Sequence, residues 1–193
     1  MKRLLLRRGA WAALLLAASA ALSQPAAFAE RYSPIPASTD GIGKRYMGRE
    51  ISAVMGWQGA AWLEREERDR EERTDLLLAG AKRSGLTQVE ARLGAVDDVR
   101  LPAGSVDLAI MVDVHHELAY PYEVMASVMK ALKPGGRVVF VEYKAEYPRV
   151  PIKPLHKMSE AQIKREAAVF ALHWERTVST LPWQHVVVFR KRS

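Results

Sequence analysis

The sequence predicts an α/β fold, in which a mostly parallel sheet ends in an antiparallel hairpin and a charged helix precedes it. Three observations carry that prediction. Val106-Asp107-Leu108-Ala109-Ile110-Met111-Val112 is a nearly continuous apolar run, the pattern of a strand covered on both faces. Tyr122 to Leu132 sets Val124, Met125, Val128, Met129 and Leu132 at helical spacing, and Lys133-Pro134-Gly135-Gly136 stops that helix ahead of a second apolar strand, Arg137 to Tyr143. Near the end, Glu175 to Thr180 and His185 to Arg190 flank Leu181-Pro182-Trp183, a turn length that suits an antiparallel hairpin.

Taken from the start, the 193 residues allow one domain. A basic opening (Lys2, Arg3, Arg7, Arg8), an apolar run from Ala10 to Leu22 and Ala27-Phe28-Ala29 before Glu30 read as a signal peptide over residues 1–29. The run is shorter than the roughly 20 residues of a membrane-spanning helix, with an uncleaved anchor as the alternative. Arg7-Arg8 also admits a twin-arginine signal. The expected location is periplasmic or secreted. The four early basic residues leave 25 of the 29 Lys and Arg against 22 Asp and Glu, a balance of +3. With no basic stripe and no interleaved aromatics, nucleic acid is not an expected partner, and neither is a membrane once the signal is gone. The lack of cysteine excludes disulfides, thiol nucleophiles and thiolate metal sites.

Residues 30–84 read as a lead-in followed by a long charged helix. Arg31 to Gly48 is rich in Pro, Ser and Gly and is expected to be irregular; Gly41-Ile42-Gly43 has no apolar strand before it and reads as a loop. Trp57 to Ser84 holds no proline, and Glu and Arg recur in it at spacings of three and four, as on a solvated helix that Gly85 ends. From residue 85 to 193 the α/β pattern takes over. Val89 to Leu93 is a short strand candidate, and Ser159 with Gln162 forms a capping box for a helix to about Phe170.

Leu101-Pro102-Ala103-Gly104-Ser105-Val106-Asp107-Leu108, taken together with Leu132-Lys133-Pro134-Gly135-Gly136-Arg137-Val138, resembles the class I S-adenosylmethionine-dependent methyltransferases. The resemblance covers about Gly85 to Arg190. It implies a Rossmann-like methyltransferase sheet, with these segments leading into the family's fourth and fifth strands. S-adenosylmethionine is the implied cofactor and a small molecule the implied methyl acceptor. The family also has a glycine-rich turn after its first strand, so that the backbone can approach the cofactor, and a second-strand carboxylate for the ribose hydroxyls. Neither is found between the charged helix and the third-strand candidate, and a strand-helix-strand unit needs about 30 residues or more. The expected sheet is therefore incomplete, with impaired cofactor binding and an exposed edge open to self-association. The alternative is a non-catalytic remnant, a binding protein or pseudoenzyme.

By the same resemblance, Asp97 and Asp98 match the acidic position that reads the adenine amino group. Asp113 and Val114 follow the strongest strand, at the carboxyl edge where open α/β sheets place ligands, and complete the cofactor-binding candidates. His116 is the candidate catalytic base, with Asp113 or Glu117 to orient it, and a structural histidine is the other reading. His115, His116 and Glu117 are adjacent and point in different directions, so they supply no convergent metal set and no metal is expected. Lys144 to Lys157, with Arg149, Lys153 and His156 among three prolines, reads as a basic surface loop.

Overall fold

The computed structural model describes residues 31–55 and 92–192. The signal peptide, the charged helix and most of the Val89 to Leu93 strand candidate lie outside the described residues; the described end, Arg92 and Leu93, carries no strand. No helix among the described residues is long and apolar enough to cross a membrane.

The chain first forms a small antiparallel sheet of β1 (Tyr32–Pro34), β2 (Gly41–Tyr46) and β3 (Arg49–Ser52). This differs from the expected irregular lead-in. The physical reason lies in the turn between β2 and β3: Met47 and Gly48 both take positive φ, 46° and 95°, as a two-residue hairpin turn requires. Met-Gly lacks the Asn or Asp that announces such a turn, and Pro34 and Pro36 disguise an edge strand. Gly41 and Gly43 belong to β2 instead of a loop, where the register shifts between Gly41 and Arg45. Gly43 sits at φ 68° with its carbonyl accepting from Ile35 N–H, a bulge position that suits glycine. Tyr32, Tyr46 and Ile51 make the sheet's own small core.

The second sheet has the order β4-β5-β7-β6. β4 (Val106–Val112) runs parallel to β5 (Leu132–Tyr143), crossing over through α1 (Pro121–Ala131), so the strand, helix, strand pattern read from sequence is present. Lys133-Pro134-Gly135-Gly136 ends α1, and the register jumps there, from Leu132 opposite Val106 to Arg137 opposite Leu108. Glycine suits position 136, because a Cβ there would lie 3.0 Å from the Lys133 carbonyl and 3.2 Å from that of Asp107, a tight fit between two backbones. β6 (Leu172–Val178) and β7 (Gln184–Lys191) form the antiparallel hairpin, beginning three residues earlier than expected, and β7 pairs antiparallel with β5. α2 (Glu160–Ala167) starts at Ser159, whose hydroxyl accepts Gln162 N–H at 3.1 Å as the capping box predicts, and it stops short of Phe170.

The core packs α1 and α2 on the sheet through Met125, Val128, Leu132, Phe140, Ile163 and Phe189. Met111 of β4 joins it, but Leu108, Ile110 and Val112 remain 48%, 56% and 42% exposed. Among the described residues that face of β4 is therefore not covered as expected, and no strand of the described residues pairs with its outer edge.

Candidate functional site

Parallel pairing of β4 and β5 brings their carboxyl ends to one edge, and the polar residues after each strand meet there. Asp113 leaves β4 with φ 49°, a left-handed conformation that Asp tolerates better than most residues. Its N–H donates to Val141 carbonyl at 2.8 Å, and its carboxylate accepts from Gln184 Nε2 of β7. Val114 is half-buried against the core. The chain then turns through His115–Glu117, a single 3₁₀ turn that buries both histidines.

Two buried glutamates hold this turn. Glu142 of β5, fully buried, accepts the His115 backbone N–H at 2.9 Å and His116 Nδ1 at 2.6 Å. Glu166 of α2 accepts from His115 Nε2 at 2.9 Å, from Gln162 Nε2 at 2.8 Å, and from Arg49 Nε and Nη2 at 2.5 and 3.1 Å. Arg49, from β3, also donates to the carbonyls of His116 at 3.0 Å and His115 at 3.4 Å, and Ser52 Oγ adds a 3.3 Å bond to His116 carbonyl. Burial alone would push the Glu166 carboxyl up, but the hydrogen bonds from His115 and Arg49 outweigh it and hold the group down at about 2. The His115 ring also meets Phe140 edge-on at 4.9 Å.

His116 is presented differently. Its Nδ1 faces a carboxylate, which can only accept when ionised, so the lone pair falls on Nε2. That atom lies 3.2 Å from Nδ1 of His156, which comes from the segment after β5. The segment is more than a surface loop: Val150 and Met158 are buried, Met158 N–H donates to Tyr143 carbonyl at 3.0 Å, and Lys153 pairs with Asp40 at 2.5 Å. Desolvation and the neighbouring His116 hold the His156 imidazole below its ordinary range. The small sheet closes one side of the edge. Lys44 of β2 lies over the rings of Tyr32 and Tyr120, 4.0 and 3.6 Å from their centroids, and donates to Ala119 carbonyl at 2.8 Å.

Of the residues expected from sequence, Asp113, Val114 and His116 share this edge. Asp97 and Asp98 lie exposed on the loop before β4, where Asp98 Oδ1 accepts Arg100 N–H at 2.6 Å and Asp98 carbonyl accepts Ala95 N–H at 2.6 Å. They are outside the hydrogen-bonded cluster around His116. The residue that orients His116 is Glu142, in place of Asp113 or Glu117. Sequence reading also missed Glu166, Arg49 and His156. Glu142 did leave a signal, as the one charged residue inside Val138-Val139-Phe140-Val141-Glu142-Tyr143; Glu166 left another, since it falls with Ile163 and Ala167 on the buried side of α2.

Residues 67–140 match the sequence profile of a family described as methyltransferase domain. A crystal structure of an S-adenosylmethionine-dependent methyltransferase from Aquifex aeolicus is similar at 20% identity and a TM-score of 0.51, over 58% of this chain and 60% of that one. An S-adenosylmethionine-dependent methyltransferase from Mesorhizobium loti is 17% identical, with a TM-score of 0.45 over 63% and 77% of the two chains. This chain thus spans about three fifths of the Aquifex protein's length. No curated protein matches it. The matched segment is thus similar to the methyltransferase domain family, and the sheet of the described residues shares the fold of the Aquifex methyltransferase.

Proposed function

We propose that this protein keeps the acceptor-side edge of a methyltransferase, with His116 as its base toward a small-molecule acceptor, and that it holds S-adenosylmethionine weakly or not at all. The observation that carries the reading is that no strand among the described residues pairs with the outer side of β4. S-adenosylmethionine brings a sulfonium, an amino-acid head group and ribose hydroxyls, and each loses free energy on enclosure unless a polar partner replaces water. Beside β4 there is instead a 360 Å³ hollow lined by apolar side chains, among them Val99, Leu101, Val106, Ile110, Val114 and Leu118. The carboxylates that the family likeness assigns to the cofactor are dispersed, with Asp97 and Asp98 in solvent and Asp113 bonded to Gln184. The described residues do not fit the cofactor. What they do supply is a base: Glu142 fixes the proton on His116 Nδ1 and leaves Nε2, beside His156 Nδ1, as the acceptor atom. Residues 1–29, which read as an export signal, support a periplasmic or extracellular setting for this work.

Calorimetric titration with S-adenosylmethionine tests the proposal. The expected result is a Kd weaker than about 0.1 mM, which corresponds to less than about 5.5 kcal/mol of binding. Micromolar binding that is abolished by Asp97→Ala together with Asp98→Ala would overturn it. A non-catalytic role for the same fold is the second reading. It is favoured by the Arg49, Glu166 and His115 contacts, which commit much of the edge's charge to holding the two sheets together.

A further inference from the structure

We infer that His116, Glu117 and His156 form a binding site for a divalent transition-metal ion, with zinc the ion whose donor preferences the set fits best. Each side chain offers one donor atom, and the three atoms all lie within 4.8 Å of one another. His116 Nε2 and His156 Nδ1 are 3.2 Å apart. Two imidazole nitrogens bound to one zinc, each about 2.0–2.1 Å from it in a tetrahedral arrangement, stand about 3.4 Å apart. The rings cross at 72° with their centroids 5.1 Å apart, so they converge at their nitrogen-bearing edges and do not stack.

The surroundings match as well as the donors do. Histidine ligands commonly donate their second ring N–H to a carboxylate, which fixes the tautomer and raises ligand basicity. Glu142 does this for His116 at 2.6 Å, from a fully buried position. Among the described residues, Glu117 Oε2 has a long 3.4 Å contact with the Met55 N–H, so its carboxylate is free to turn to an ion. Lys153, three residues before His156, would repel a cation, but its ammonium is paired with Asp40. Nothing in the local sequence spacing announces the site: two ligands are neighbours on the 3₁₀ turn and the third comes from the segment beyond β5. Three protein ligands leave the fourth tetrahedral position open to water or to an oxygen or nitrogen of a small molecule, as in catalytic zinc sites. A simple hydrogen bond between the histidines would account for their approach but gives Glu117 no part in it.

This inference goes beyond the methyltransferase reading: it gives the His116 Nε2 lone pair to the ion, so that His116 serves as a base only in the metal-free protein. It uses none of the cofactor-side residues, so failure of the S-adenosylmethionine titration leaves it untouched. The full chain, tag-free and stripped with a chelator, is titrated with zinc chloride in competition with a chromogenic chelator. One equivalent is expected to bind in the micromolar range or tighter. His156→Ala and Glu117→Ala are each expected to weaken it tenfold or more, and Glu142→Gln by about 10–100-fold through loss of the second-sphere bond. His173→Ala, an exposed histidine on β6, leaves it unchanged. Circular dichroism in chelator confirms that each variant is folded. Cobalt(II) in the unaltered protein, which depends on no variant, is expected to show the intense visible absorption of a tetrahedral site. Absence of stoichiometric zinc uptake, an octahedral cobalt spectrum, or uptake unaltered in both folded ligand variants overturns the proposal.

Discussion

Glu166 is the residue on which most of the edge depends, because it takes hydrogen bonds from β3, from the 3₁₀ turn and from its own helix. Its folded-state value of about 2, against an ordinary 4.5, has a definite consequence for stability. A carboxyl whose folded value is depressed stabilises the fold fully above its unfolded value, and that contribution disappears as pH falls from about 4.5 toward about 2. The contribution is on the order of 3 kcal/mol. Urea melts from neutral pH down to about pH 2 are expected to show this acid leg, and Glu166→Gln is expected to lower stability at neutral pH while flattening it. A Glu166→Gln protein with an unchanged acid leg would place the effect elsewhere.

At the scale of single elements, α2 is the means by which Glu166 is held, and its start rests on the Ser159 cap. Ser159→Ala is expected to cost about 1 kcal/mol, read as a lower urea midpoint at unchanged slope. The same helix illustrates how much of the molecule was legible in the sequence. Capping, helical spacing and the long apolar runs are local patterns, so α1, α2, β4, β5 and the closing hairpin could all be read in advance. β1 to β3 could not, since the turn residues Met47 and Gly48 carry no conventional signature and the prolines suggested irregular chain. In the site, His116 was legible from its place after the strongest strand. Arg49, Glu142, Glu166 and His156 were not, because their meaning depends on partners 26 to 117 residues distant. A charged residue alone in an apolar strand, as Glu142 is, was the clue available.

For the whole molecule, the decisive feature is β4, with whose outer edge no strand among the described residues pairs. Leu108, Ile110 and Val112 present an apolar surface there, and an edge of that kind is a template for pairing with another chain. Concentration-dependent self-association is expected in sedimentation velocity, and Ile110→Lys is expected to reduce it; a monomer at all concentrations would refute the expectation. The Arg49 to Glu166 contact has a different consequence, one of timing. It spans 117 residues of chain, and closing a loop of that length costs on the order of 4 kcal/mol of entropy before a constant term. The β4, α1 and β5 crossover closes a much shorter loop and can form without it. The cluster of histidines and glutamates is therefore expected to be completed late in folding and opened early in unfolding, with its amides exchanging ahead of those of β5, so that a chain caught half-folded has its sheet but not yet its chemistry.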